Sequence, residues 1–218
     1  MHQKSRDTAC ALVEKSLVLL KNENRLLPIR PGTKIYVAGP AADNAGVQGG
    51  GWTVEWQGVR DTSIPGFTTL LEGLRLCEDR YGLTIITALE KAAEADVVLL
   101  ALGEVPYAEY QGDSYDPDLL GKHGLSGNQE AMQEAQALKK PVITCIMAGR
   151  QVFIADHMDQ WDSVVMCYLP GSEGQGIARV LLGETDFTGK LPSPWYASVK
   201  DLEAGKPWLE TGYGLSMK

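Results

Sequence analysis

Residues 96–102 read DVVLLAL, a run in which every position after the aspartate is apolar. Seven residues are too few for a buried helix of ordinary length and far short of the roughly 20 needed to span a bilayer. The run therefore reads as a strand covered on both faces, and its neighbours repeat the pattern. KIYVA at 34–38 is bounded by Gly39-Pro40, and further strands are predicted at 83–86, 141–147 and 163–169. Between them lie helical patterns at 68–78, 88–94 and 127–139, with Ser126 placed as an N-cap, and shorter ones at 152–157 and 177–182. A first helix is predicted over 7–21 from Ala11, Leu12, Ser16, Leu19 and Leu20. Parallel strands need crossovers, and those crossovers supply the covering helices, so the expected class is α/β, a doubly wound, mostly parallel sheet with helices on both faces. The irregular tail, 187–218, is expected to cap the sheet or to add a last edge strand.

The 218 residues fit one domain, 1–218, and 44 % hydrophobic with 22 % charged residues is an ordinary globular balance. A formal net charge of −8 with no Lys/Arg cluster argues against nucleic acid, and no apolar run is long enough for a membrane span. The opening MHQKSRDTAC lacks the apolar core and small-residue cleavage site of a secretory signal, so the expectation is either a protein that stays inside the cell or an address on a segment absent from this chain. Cys10, Cys77, Cys145 and Cys167 lack CxxC spacing and read as structural thiols. His2, His123 and His157 are isolated, so neither a metal site nor a cofactor is expected.

Two long loops, 41–66 and 103–125, leave the carboxyl ends of strands, where open α/β sheets bind ligands. They carry Trp52, Glu55, Trp56, Glu104, Tyr107, Glu109, Tyr110, Asp113 and Tyr115. Aromatics beside carboxylates suit a sugar, which offers a C–H face and hydroxyls. Packed tryptophans with solvated acids are the other reading of the same residues. PGSEGQG at 170–176 has the look of a phosphate-binding turn but lacks the GxGxxG and GxxxxGK[ST] spacings, and Glu173 would oppose a phosphate. GLSGN at 124–128 misses the GxSxG frame.

KSLVLLKNENRLLPI (15–29), VAGP with the following DN (37–44), GGWTVEWQG (50–58), GEVPYAEYQGD (103–113), LPGSEGQG (169–176), FTGKLP (187–192) and TGYGLS (211–216) occur in one order along nearly the whole chain. Together they resemble the C-terminal domain of glycoside hydrolase family 3, in its exo-β-glucan glucohydrolase branch. The resemblance implies a six-stranded (α/β)₆ sandwich that follows an N-terminal (β/α)₈ barrel absent from this chain. It implies a retaining exo-acting β-glucosidase acting on β-glucans or cello-oligosaccharides, with the nucleophile on the barrel as partner. Glu109 is then the acid/base, and Trp56 flanks the subsite of the leaving sugar. An acid at neutral pH calls for a raised pKa at Glu109, through desolvation by Trp56 and Tyr107 or through the nearby nucleophile. Asp113 is expected either to orient Glu109 or to serve a turn. The stretch 114–126, SYDPDLLGKHGLS, departs from that branch's usual composition. A non-catalytic carbohydrate-binding or scaffold module is the alternative, and a nucleotide-binding protein using 170–176 is a third.

Overall fold

The backbone hydrogen bonds of the computed structural model, which describes residues 3–60 and 62–217, are organised around β4 (Val97–Gly103). This strand pairs in parallel with β2 (Lys34–Ala38) on one side and β5 (Val142–Met147) on the other. The sheet order is β1-β6-β5-β4-β2-β3, with β1 (Val18–Asn22), β3 (Thr84–Ile86) and β6 (Ser163–Met166) completing it. Every neighbouring pair is parallel except β1 with β6.

Alternation along β4 splits its buried side chains between two cores. Val97, Leu99 and Ala101 join Ile143, Cys145 and Val165 on one face, packed against α1 (Gln3–Ser16), α3 (Leu70–Arg75) and α6 (Gly174–Leu181). Val98, Leu100 and Leu102 join Ile146, Val164 and Met166 on the other, under α5 (Asn128–Leu138) and the tail's Trp195. All four cysteines are buried and unpaired. His2 lies outside the described residues.

The helix predicted over 7–21 is corrected. It stops at Ser16, and Val18–Asn22 runs antiparallel to β6. Leu17, Val18, Leu19 and Leu20 are all buried, Leu19 in one core and Val18 with Leu20 in the other, an arrangement only a strand achieves. A short apolar run fits either period, and tertiary pairing decides between them. The sixth strand is therefore β1, while the tail caps the sheet. Trp195 is fully buried with its indole donating to Val152 O at 2.7 Å, and Leu215 forms one bridge to Leu19.

Several helix expectations shift as well. The 68–78 pattern divides into α3, with a Thr69–Glu72 capping box, and α4 (Glu78–Tyr81). The patterns at 88–94 and 152–157 become 3₁₀ segments, Leu89–Glu94 and Ala155–Gln160. Ser126 does not cap α5; Gly127 does, at φ +96°, and the Asn128 amide turns inward to Gly103 and Leu119. Strand β6 ends at Met166 rather than 169. Inside the first long loop lies an unpredicted α2 (Ala45–Gly49), capped by the Asn44 side chain. The remaining helix, α7 (Val199–Glu203), sits in the tail.

Within 170–176, Gly174 and Gly176 allow close packing. A Cβ on Gly174 would lie 2.6 Å from Thr68 O, and one on Gly73 of α3 would lie 2.7 Å from the Gln175 Cα, so α3 and α6 meet backbone to backbone. Glu173 is buried, held by Ser172, Gln175 and Arg6, which sets a carboxylate at the turn.

The strand assignment at β1 separates two leucines that a single helix would make equivalent. Leu19→Ala is expected to cost about 2–5 kcal/mol in urea denaturation, whereas Leu12→Ala, on an exposed face of α1, should stay within about 0.5 kcal/mol. Equal effects would contradict the strand.

Candidate active site

β2 and β4 are adjacent and parallel, with Ala38 opposite Leu100, so the loops that follow them leave the same edge of the sheet. Gln57 ties the loops together, its amide oxygen accepting from Ala108 N at 2.8 Å and its amide nitrogen donating to Glu109 O at 3.1 Å. Beside it the Trp56 indole donates to Glu109 Oε2 at 2.7 Å. Trp52 and Tyr110 flank Trp56 with ring centroids at 6.3 and 6.0 Å. These three aromatics are substantially exposed, Trp52 by 70 % and Tyr110 by 78 %, and form a contiguous patch of the kind that binds ligands. Trp52 and Tyr110 also take φ values of +60° and +71°, a strained region for side chains of this size that clusters at functional sites.

Beneath this rim lies an ion pair between a buried carboxylate and a half-buried guanidinium. Glu104, the first residue after β4, is 3 % exposed and accepts from Arg150 Nη2 at 2.6 Å and Nε at 3.1 Å, and from the Tyr107 hydroxyl at 2.7 Å. Arg150 also donates to Gly112 O at 2.5 Å, and its guanidinium stacks 4.5 Å from the Tyr107 ring centroid. Positions 104, 107 and 112 are thus fixed, and Glu109 lies on the short arch between the last two. Burial, and then Glu104, push the Tyr107 phenol far above its usual range, so it stays a donor. Burial, aided by Arg150, holds the His123 imidazole below its ordinary value where it packs on Tyr107.

The predicted rim residues divide accordingly. Glu109 and Trp56 come together, with Trp52 and Tyr110 beside them. Glu104 and Tyr107 go beneath as supports, and Tyr115 reaches away to the Glu203 carboxylate on α7. Asp113 is exposed and closes a turn through its backbone N–H to Tyr110 O at 3.3 Å. Among the described residues no three His, Cys, Asp or Glu side chains converge as metal ligands.

Glu109 departs from the expected electrostatics. Its carboxyl is held below the usual range, first by the Trp56 N–H and secondarily by its own backbone N–H, with the Trp52 indole adding to this. The tryptophans act as donors to the carboxylate, which overrides any desolvation at so exposed a group. Gln57 and Arg150 are the residues that reading the sequence overlooks. A signal for Arg150 exists in the register, because Gly103 pairs with Met147 and places both following segments at one edge.

The sequence matches the model of the glycosyl hydrolase family 3 C-terminal domain over residues 17–217. It is 32 % identical to the lysosomal beta glucosidase of Dictyostelium discoideum, over 97 % of this chain and 29 % of that protein. It is 27 % identical to the periplasmic beta-glucosidase of Salmonella typhimurium, over 95 % of this chain and 30 % of that protein. Among solved structures, the exo-1,3/1,4-beta-glucanase of a Pseudoalteromonas species superposes with a TM-score of 0.86 at 33 % identity, covering 99 % of this chain and 29 % of that one. The chain thus spans about a third or less of the length of these relatives.

Two measurements test this geometry. Trp56→Phe keeps the ring but removes the donor, so the Glu109 carboxyl, followed by carbon-detected NMR titration, is expected to titrate at higher pH; an unmoved midpoint contradicts the contact. Arg150→Met leaves Glu104 buried without its cation and is expected to cost about 3–5 kcal/mol in denaturant unfolding. A loss under about 1 kcal/mol would mean that the pair does not anchor the loop.

Proposed function

The chain belongs to glycosyl hydrolase family 3, as its C-terminal domain, and from that premise we propose that it carries the acid/base of a retaining, exo-acting β-glucosidase. The reading rests above all on the Trp56–Glu109 hydrogen bond, which joins the two long loops at a carboxylate flanked by exposed aromatics. It draws further support from the β-glucosidase and exo-glucanase relatives.

Retaining hydrolysis needs two carboxyl groups about 5–5.5 Å apart. In this proposal the nucleophile comes from a (β/α)₈ barrel beyond these 218 residues and attacks the anomeric carbon. Glu109 gives its proton to the departing glycosidic oxygen, and in the second step takes one from the water that releases the sugar. Trp56 has two tasks. Its indole N–H fixes the carboxylate, and its ring offers a face to the leaving sugar.

The depressed titration of Glu109 bears on this chemistry. Taken alone, the carboxylate is ionised at neutral pH and has no proton to give. A second carboxylate at catalytic distance disfavours that ionisation and raises the pKa. Acid competence is therefore a property of the assembled site, and the chain alone is expected to be inactive. The same ionised state favours a second reading, a carbohydrate-binding or scaffold module without turnover.

Glu109→Gln in the complete enzyme separates the two. The acid/base role predicts that turnover of β-glucosides with poor leaving groups falls roughly 10²–10⁴-fold, that activated aryl glucosides suffer less, and that azide restores part of the rate. Unchanged turnover on every substrate would reject Glu109 as the acid/base, and a complete enzyme that associates but turns over nothing would favour the scaffold.

A further inference from the structure

His123 closes the loop that bears Glu109 at its base. Its carbonyl accepts from Val105 N at 2.7 Å, Gly124 bridges to Glu104, and Leu125 N donates to Gly103 O at 3.0 Å, so the returning segment lies along the loop's first residues. The return is tight, because a Cβ on Gly124 would lie 1.9 Å from Leu119 O. His123 itself is 6 % exposed, and its imidazole packs on Tyr107 with ring centroids 5.5 Å apart.

Tyr107 carries that contact to the arch. A Cβ on Gly112 would lie 2.4 Å from Tyr107 Cδ2, so Gly112 rests directly on the phenol ring. Gly112 N donates to Ala108 O at 2.8 Å and closes the turn that holds Glu109. A shift of the Tyr107 ring therefore shifts Glu109.

The surroundings of His123 suit a neutral ring and oppose a charged one. Its Nε2 is buried and has no hydrogen-bond partner among the described residues, so a proton there would sit on an unsatisfied donor. Arg150 and Lys122 bring positive charge to it, and the facing carboxylate is Glu104, already committed to Arg150 and to the Tyr107 hydroxyl. Asp113 acts on the ring through its backbone carbonyl, while the residue itself is exposed. Burial, then Arg150 and Lys122, disfavour the imidazolium by more than Glu104 and the Asp113 carbonyl favour it. A proton on His123 would add a second cation at the ring on which the Arg150 guanidinium already stacks, and opening the loop to water relieves that conflict.

We propose that His123 is a positioning residue, which as a neutral ring holds the Glu109 arch closed and on taking a proton releases it. Its effect on turnover rests on the glycosidase reading, whereas its hold on the loop is a property of this chain by itself. The closed loop binds the proton less tightly than the open one. Closure is therefore fully favoured above about pH 6.5, the ordinary imidazole value, and is lost progressively as pH falls from there through the lower value of the folded state.

NMR titration and amide hydrogen exchange of the 218-residue chain test this. The His123 ring is expected to titrate below about pH 6.5. Over the same range the protection of the Val105 and Gly112 amides, corrected for intrinsic exchange, is expected to fall by up to about tenfold per pH unit, while amides of β4 and β5 keep theirs. In His123→Phe, which keeps a flat ring and cannot take a proton, protection at Val105 and Gly112 should stay level until Glu109 titrates at lower pH. An ordinary His123 midpoint, the same pH dependence in His123→Phe, or a parallel loss at β4 would overturn the proposal. Lys122→Gln, at an exposed position, serves if the phenylalanine variant does not fold. It keeps the imidazole, removes a facing cation and is expected to move the ring titration and the loss of protection together to higher pH; no movement, or movement of one alone, would overturn the proposal. The glycosidase reading is judged separately, because exchange in this chain does not depend on turnover and turnover of Glu109→Gln does not depend on His123.

Discussion

The pair between the buried Glu104 and the half-buried Arg150 is the contact on which the candidate site depends. Parallel pairing of β4 with β5 puts Gly103 opposite Met147, so the residues just beyond both strands emerge side by side. A carboxylate taken out of water there must be paired, and Arg150 meets it with two nitrogens. With its remaining donors and its flat face the same guanidinium fixes Gly112 and Tyr107. A long loop with little regular structure of its own is thereby held at three points. Such pairs often contribute little net stability compared with apolar packing, so we assign this one to loop position rather than to fold strength.

The layering of the fold was legible in the sequence because strands buried on both faces leave continuous apolar runs. KIYVA and DVVLLAL are such runs, and both strands lie within about a residue of where the pattern puts them. Strand β1 was not legible. LVLLK follows a helix without a break, its residues suit either period, and the deciding contact with β6 lies about 145 residues away. The caps failed for a related reason. Ser126 has the right chemistry, but burial of Asn128 against Gly103 and Leu119 sets where α5 begins.

Within the site, pattern and resemblance pointed to Glu109 and Trp56, and the structure brings them into contact. What the sequence hid was the division of nine rim candidates into exposed and supporting groups. Glu104 looks like any loop acid until its burial against Arg150, 46 positions away, is known. Gln57 carries no chemical signal at all, and its role is to bridge loops 51 and 52 residues apart. The direction of the Glu109 shift was also hidden, since the same indole serves either as a desolvating wall or as a donor. Only the side chain's orientation distinguishes them.

Under the proposed function these features make one half of a site. The domain holds a carboxylate in place and ionised, and surrounds it with exposed aromatic surface, while its relatives extend well beyond it. The most direct test is hydrolysis of an aryl β-glucoside by this chain alone and after association with the (β/α)₈ barrel that the proposed function calls for. No turnover is expected from the chain, and turnover is expected from the assembled pair. Hydrolysis by the chain alone, or an associated pair that stays inactive, would contradict the proposed function.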